Sequence, residues 1–449
     1  MNKLFGTDGI RGTPGKYPLT DYMIYKIGSG IAHFIISKKD GRKRPKIVIG
    51  KDTRLSGRQI EAILANALTL RGIDVLLAGI ITTPGLSFLT KNLEADMGIM
   101  ISASHNKATD NGIKFFDAKG HKVSYGEEEK IEKAIFEHPV SERHPKTRGN
   151  IRIVKTAQTR YVKFLSSALQ GLDLKGMRIA LDCAFGAASP FARKIFRNLG
   201  AKVYSINDTP TGYNINEGGA INPAFLKELV LRTGAHIGIA VDGDGDRGIL
   251  VDERGHVIDG DCIIAIVARY LLQKKQLPKN TVVATVMSNY GLKVALEEFG
   301  GKIISANVGD KYVLEGLLKN NLNLGGEQSG HIIFLDYLPT PDGLLTALQV
   351  LKVIQDTKSS LSQLAKCLTK YPQILVNIKV KEMRPFEQMS SLNKKLRHFN
   401  NRLKGEGRIL LRYSGTEPLA RVMVEGKDEA LITEIAHSLA DQIRNEIGS

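Results

Sequence analysis

Five short segments carry side chains whose types and spacing could do chemistry. The richest is IGIAVDGDGDRGILVDERG, where an apolar run ends at Val241 and Asp242, Asp244 and Asp246 then alternate with glycines. Three carboxylates this close repel one another unless a cation sits among them. A hard cation such as Mg²⁺ takes oxygen ligands, and glycine lets the backbone fold around it. A flexible acidic turn is one other reading. A calcium loop of EF-hand spacing is another, because Asp242, Asp244, Asp246 and Glu253 fall at its positions one, three, five and twelve. Against it, Arg247 occupies position six, where that loop turns on glycine, and the flanks read as strands.

The segment MISASHNKATDNGIKFF places Ser102 and Ser104 directly before His105 and Asn106. A serine-protease reading is poor: the chain has no GxSxG elbow here, and triad partners are normally distant in sequence. A serine that accepts a phosphoryl group needs a metal to neutralise the transferring oxygens, and the acidic loop can supply one if the fold joins the two. Otherwise both serines are ordinary turn residues.

Three more segments add anion and hydroxyl binders. FGTDGIRG presents Arg11 among glycines, and GGEQSGH gathers Glu327, Ser329 and His331, which can bind hydroxyls and move a proton as a sugar requires. LRYSGTEPLARVMVEG puts Arg412, Ser414, Gly415 and Thr416 in a turn with Arg421 on the strand after it. Two guanidiniums, two hydroxyls and exposed N–H groups make a phosphate cradle.

The elements that must position these groups alternate between short β-rich runs and helical patterns. KIVIG reads as a buried strand, followed by the turn KDTRLSG, in which Ser56 is placed to cap the helix RQIEAILANALTLRG. The strands IDVLLAG and ADMGIMIS come next. The same rhythm restarts at MRIALDCA and again at TVVATVM, each strand followed by a helix ending in Gly and a further strand. Three restarts predict three α/β domains of related plan. From about Tyr371 the order becomes strand, polar helix, two strands and a final helix, a small α+β domain with an antiparallel sheet. The expected domains are 1–150 with the serines, 151–257 with the acidic loop, 258–370 with GGEQSGH, and 371–449. HPVSERHPKTRGN reads as the first linker.

The 449 residues carry 63 Lys and Arg against 46 Asp and Glu, a net charge of +17. That balance fits nucleic acid, an anionic surface or an anionic small substrate. The densest basic run, KKDGRKRPK from Lys38 to Lys46, reads as a solvated loop before a strand. Aromatics do not interleave with it, which argues against a stacking platform for single strands. Cys183, Cys262 and Cys367 are scattered and odd in number, suggesting neither a disulfide framework nor a zinc site. With no apolar run of signal-peptide or membrane length, a cytoplasmic setting is expected, without a membrane or nucleic-acid partner.

Taken together, FGTDGIRG, SASHN, DNGIKFF, DGDGDR, GEQSGH and RYSGTEPLARVMVE resemble the motifs of the α-D-phosphohexomutase superfamily, in its order and along essentially the whole chain. The wording is most similar to the branch that interconverts glucosamine 6-phosphate and glucosamine 1-phosphate, on the way to UDP-N-acetylglucosamine. The resemblance implies that Ser104, not Ser102, is the phosphoserine. It implies that Asp242, Asp244 and Asp246 hold Mg²⁺ together with that serine's phosphate, and that Arg247 lies beside them. It further implies that Glu327 and Ser329 bind the sugar, and that Arg412, Ser414, Gly415, Thr416 and Arg421 bind the phosphate that is not reacting. Arg11, Lys114 and His331 match positions that assist proton transfer or stabilise charge. A sugar 1,6-bisphosphate would be the activator and intermediate. The implied fold is three α/β domains with mixed sheets and a smaller C-terminal α+β domain around one cleft, as a homodimer.

Two departures from the family's usual wording are Asn106-Lys107, where Asn-Pro is common, and GDKYV, which puts Lys311 where Arg is common. Lysine keeps the charge but loses the bidentate fork, so the contact of Lys311 with substrate is open. Alternatives that remain are the same chemistry on neutral hexose phosphates, a metal-dependent phosphatase, and a sugar-phosphate sensor without turnover.

Overall fold

In the computed structural model, described over residues 4–6, 8–38, 44–137, 147–414 and 418–449, the strands form four sheets. The chain divides into two compact units, residues 1–287 with 301–366, and residues 288–300 with 367–449.

The first unit holds three sheets built to one plan. A central strand takes a parallel neighbour on each side, and one of those neighbours turns back as an antiparallel hairpin. In the first sheet Lys46–Lys51 lies between Asp74–Ile80 and Met97–Ile101, and Met97–Ile101 pairs antiparallel with Asn111–Asp117. In the second, Arg178–Asp182 lies between Lys202–Ile206 and Ile237–Val241, which pairs with Gly248–Asp252. In the third, Thr281–Thr285 lies between Lys302–Ala306 and Leu324–Gly326, which pairs with Ile332–Phe334. The hairpin connections are therefore 102–110, 242–247 and 327–331. They are the three loops whose residue types pointed to chemistry, and each follows the carboxyl end of a parallel strand, where open α/β sheets bind ligands.

Parallel pairing needs a crossover, and helices such as Gly57–Leu70 and Ala192–Asn198 supply it. Strands covered by helices on both faces read as continuous apolar runs. Accordingly every residue of Met97–Ile101, Ile237–Val241 and Thr281–Thr285 is buried. Truncating Ile99 or Ile239 to Ala costs about 2–5 kcal/mol, because a cavity is added to the lost burial. Thr20 caps the helix Asp21–Ser37 through the Met23 N–H, and Asp342 caps Gly343–Thr357 through Leu344 and Leu345. Ser56 stands at a helix start but caps nothing: its hydroxyl accepts from Asn111 Nδ2 at 2.9 Å instead, and its backbone is helical rather than extended.

Ile151–Ile153 pairs with Asp74–Ile80, so the first sheet runs just past position 150. The expected linker lies largely outside the described residues, as does most of the basic run, although the strand expected after that run begins at Lys46. In the second unit, Gln373–Lys379, Leu419–Gly426 and Gly407–Tyr413 form an antiparallel sheet. The helices Ser390–Leu403 and Glu429–Ile447 close a core that includes Ile378, Leu392, Val422, Ile432 and Leu439. The helix Tyr290–Glu298, expected inside the third α/β region, falls with this unit. No helix among the described residues is long and apolar enough to cross a membrane.

Candidate active site

The first two hairpin loops meet. Ser104, buried and in left-handed backbone at φ +50°, donates its hydroxyl to Asp242 Oδ2 at 2.9 Å. Ser102 is bound otherwise. Its hydroxyl donates to Asp52 at 2.6 Å and accepts from the Ser104 N–H at 2.9 Å, so it shapes the turn and Ser104 faces the acids.

Asp242, Asp244 and Asp246 are fully buried, with ligand oxygens within 4.8 Å of one another. Burial, and then Asp246 and Asp244, push Asp242 up to about 7. Asp244 Oδ1 is buried with no hydrogen-bond partner among the described residues. Its Oδ2 accepts from the Thr83 hydroxyl and from Lys114 Nζ at 2.9 Å. Three such carboxylates, one lifted by the others and one with an unmet oxygen, are a donor set suited to a hard divalent cation. The EF-hand reading fails, because Glu253 is taken up by Ser362 on another segment and joins no acidic cluster among the described residues. Glycine is needed at 245, where φ is +73° and a Cβ would lie 2.6 Å from Thr82 Cγ2.

Lys114 is buried among acids, with Nζ 2.9 Å from Asp8, 2.9 Å from Asp244 and 3.3 Å from Asp246. Burial opposes its charge, but Asp244, Asp8 and Asp246 outweigh burial and raise its pKa, so it is an ammonium. Asp8 also takes Arg11 at 2.7 Å and Lys122 at 2.8 Å, and Lys122 reaches Asp310 at 2.7 Å. Burial alone would raise Asp8; Lys114, Lys122 and Arg11 hold it well below the carboxylate range.

The third loop joins from the other side. His331 Nε2 lies 3.1 Å from Asp246 Oδ1, and its Nδ1 lies 3.0 Å from the Ser329 hydroxyl and 3.8 Å from Glu327. Arg247 Nε also approaches His331 Nε2, at 3.3 Å, but one ring nitrogen cannot donate to a carboxylate and accept from a guanidinium at once. The carboxylate decides it, because a carboxylate oxygen only accepts: Nε2 donates to Asp246, and against burial Asp246 raises the imidazole pKa. Burial raises Glu327. Arg247 NH2 meets His105 Nδ1 at 2.8 Å, and burial, then Arg247 and Arg11, lower His105 to about 4, which leaves it neutral at pH 7.

Lys311 is directed elsewhere. It pairs with buried Glu128 and lies 5.0 Å over the Tyr125 ring, so the departure from Arg serves an ion pair in this structure.

The fourth loop belongs to the second unit. Arg412 and Arg421 stand directly opposite on paired strands, a like-charge arrangement that costs stability unless an anion joins it. Burial and then Arg421 lower the Arg412 pKa. Arg421 NH2 reaches the Ser414 hydroxyl at 3.5 Å. Gly415 and Thr416 lie outside the described residues.

Sequence reasoning passed over Asp8, Thr83, Lys122, Arg54 and Asn216. Asp8 was in view inside FGTDGIRG. Arg54 and Asn216 sit in loops, Lys122 on an isolated bridge to Phe116 and Thr83 at the first position of the helix Thr83–Asn92, and only their partners give them meaning.

The chain resembles known proteins along its whole length. The family described as Phosphoglucomutase/phosphomannomutase matches along the chain: its alpha/beta/alpha domain I at residues 2–140, domain II at 159–255, domain III at 259–371 and its C-terminal domain at 375–442. The chain is 47% identical over 452 residues to a phosphoglucosamine mutase of Geobacter sp. (strain M21), covering 100% of this chain and 99% of that protein. A solved structure of a phosphoglucomutase/phosphomannomutase family protein from Burkholderia thailandensis aligns with a TM-score of 0.82 at 23% identity, over 100% of this chain and 99% of that one. The N-acetylphosphoglucosamine mutase of Aspergillus fumigatus, solved in complex with GlcNAc-6P and magnesium, aligns at 0.66 and 17% identity, over 98% and 95%. At these identities the two structures speak for the fold.

Proposed function

The chain belongs to the phosphoglucomutase/phosphomannomutase family, and from that premise we propose that it catalyses the phosphoglucosamine mutase reaction, interconverting glucosamine 6-phosphate and glucosamine 1-phosphate. The full-length likeness to phosphoglucosamine mutases supports the amino sugar as substrate. The observation that carries the mechanism is the Ser104 hydroxyl set against Asp242, with Lys114 spanning the other two aspartates.

In this reading Ser104 carries the phosphoryl group. Asp242, Asp244 and Asp246 hold a divalent cation, Mg²⁺ by its hardness, which when bound neutralises charge on the phosphoryl oxygens. Arg412, Ser414, Gly415, Thr416 and Arg421 hold the substrate's own phosphate. Glu327 and Ser329 orient the ring through its hydroxyls. The free hydroxyl attacks phosphorus, the bond to Ser104 breaks, and a sugar 1,6-bisphosphate results. Lys114 and Arg11 meet the developing charge with cations already in place, and Arg247 adds a third. The attacking oxygen loses a proton and the serine oxygen regains one; the His331 imidazole, on the sugar loop and 3.1 Å from Asp246, is the group placed to take the first and return the second. The bisphosphate then turns and returns its other phosphate to Ser104, which is why two anion sites are needed. The positive balance of the chain draws such anions in. Three scattered cysteines, two of them buried, suit the reducing cytoplasm.

Phosphorus NMR of the protein with Mg²⁺, a trace of sugar 1,6-bisphosphate and glucosamine 6-phosphate tests this beside a tube of glucose 6-phosphate. The 1-phosphate signal should grow much faster with the amino sugar. Faster conversion of glucose 6-phosphate moves the chemistry to neutral hexoses. Release of inorganic phosphate identifies a phosphatase, and no conversion in either tube a sensor.

A further inference from the structure

The carbonyls of Ser104 and Asn106 each accept two hydrogen bonds. One pair comes from Arg54 NH2, at 2.8 and 2.9 Å, and the other from Asn216 Nδ2, at 2.8 and 2.9 Å. Arg54 lies in the loop after Lys46–Lys51, a strand of the sheet whose neighbour leads into the serine loop. Its buried guanidinium is braced by Asp52 at 2.9 Å and also reaches the carbonyls of Lys107 and Asp110. Asn216 comes from the connection between Lys202–Ile206 and Ile237–Val241, two strands of the second sheet. Its remaining side-chain atom, Oδ1, accepts from the Gly243 N–H at 2.8 Å, in the peptide between Asp242 and Asp244. One carboxamide thus bonds the backbone of the serine loop and the backbone of the acidic loop together. It is itself anchored, because the Asn216 N–H donates to Ala184 O at 2.8 Å. The approach is also close: a Cβ at Gly243 would lie 2.8 Å from Asn216 Nδ2.

The two loops also touch directly, through the Ser104 hydroxyl donating to Asp242 and through Arg247 NH2 against His105 Nδ1 at 2.8 Å. Esterifying the serine oxygen with a phosphoryl group removes its proton, so the bond from Ser104 to Asp242 is lost in the phosphorylated state. The Asn216 link runs through backbone carbonyls and an amide and is unchanged by the state of the serine. We propose that Asn216 is a positioning residue for phosphoryl transfer, a staple that holds the serine loop in register with the aspartate loop through both states of Ser104. The proposal rests on Ser104 as the phosphoryl carrier.

Asn216→Gly is the clean test, because φ at 216 is +68°, which glycine adopts without strain while the carboxamide is lost. Asn216→Asp keeps an acceptor for Gly243 but replaces the donor with a charge facing two carbonyls. Misplacing reacting groups by about 1 Å costs on the order of 10²-fold, so kcat should fall by that order in both variants, with KM within about twofold. Hydrogen exchange should rise together in peptides covering 102–112 and 242–248, while circular dichroism stays native. A folded Asn216→Gly protein with wild-type kcat, or with exchange unchanged in both peptides, overturns the proposal. If that variant does not fold, wild-type kcat in Asn216→Asp overturns it equally. Failure of the underlying reading looks different: mass spectrometry would find no phosphate on Ser104 in the wild-type protein after incubation with bisphosphate, while the exchange experiment would still report the staple.

Discussion

The Ser104 hydroxyl lies 2.9 Å from Asp242 Oδ2 although 138 positions separate the two residues. The contact joins two hairpin loops at equivalent places in two sheets of the same plan. A side chain that can carry a phosphoryl group is thereby set at the lip of a buried acidic triad, and its replacement is the most direct test of the proposed chemistry.

Ser104→Ala should lower turnover by at least about 10³-fold, as removal of a nucleophile does. The lost hydrogen bond should cost only about 1 kcal/mol of stability. A coupled assay beside a thermal melt reads both. Turnover near the wild-type rate would discard Ser104 as the phosphoryl carrier.

Chelation by EDTA should abolish activity and Mg²⁺ should restore it. Asp244→Asn removes one carboxylate of the triad and leaves Lys114 facing an amide. Half-saturation with Mg²⁺ should move up by about tenfold or more, the order expected when a ligand's support is lost. Direct calorimetric titration gives the same quantity without turnover. An unchanged titration would take the triad out of metal binding.

Asp8 anchors Lys114, Lys122 and Arg11, and Asp8→Asn leaves these cations short of an acid. The expected loss is about 3 kcal/mol at pH 7, the order found when one member of a buried ionic group is removed. The pH dependence has a definite sign. The folded-state pKa of Asp8 lies well below its unfolded value, so its stabilisation is fully present above about pH 4 and is lost as pH falls through the folded pKa. Urea midpoints for wild type and variant should differ by a constant amount from pH 5 to 8 and converge in more acidic buffer. A difference that grew on acidification would contradict the ion network.

Arg421→Ala removes one of two guanidiniums facing each other across a strand pair. A charge-assisted hydrogen bond contributes about 1.5–3 kcal/mol, so KM for the sugar monophosphate should rise roughly 10- to 100-fold with kcat little changed. Equal KM values in the two proteins would move the phosphate away from this loop.

The four sheets were legible because their strands are apolar runs bounded by turns, and the helices between them carry one apolar face. KIVIG, MRIALDCA and TVVATVM each became the central strand of a sheet. Local detail was less legible. Ser56 has the right type and place for a cap, but its hydroxyl found Asn111 instead. The acidic loop was legible because three aspartates in five residues have few physical explanations. Asn216 was not, because one of the two asparagines in TGYNINEGG looks like any turn residue until its partners 110 and 112 positions away are known.

The sequence by itself determined the inventory of groups and the short-range pattern that puts each at a strand end: a serine, three aspartates, a glutamate, serine and histidine cluster, and paired arginines. Tertiary structure decided which of them face one another. It chose Ser104 over Ser102, gave Lys114 its three acids, and turned Lys311 to Glu128. The reason is one of range. Periodicity and turn chemistry act over a few residues and leave a trace in the local order of the chain. Hydrogen-bond partners meet across about 3 Å of space, and here they come from segments more than a hundred residues apart.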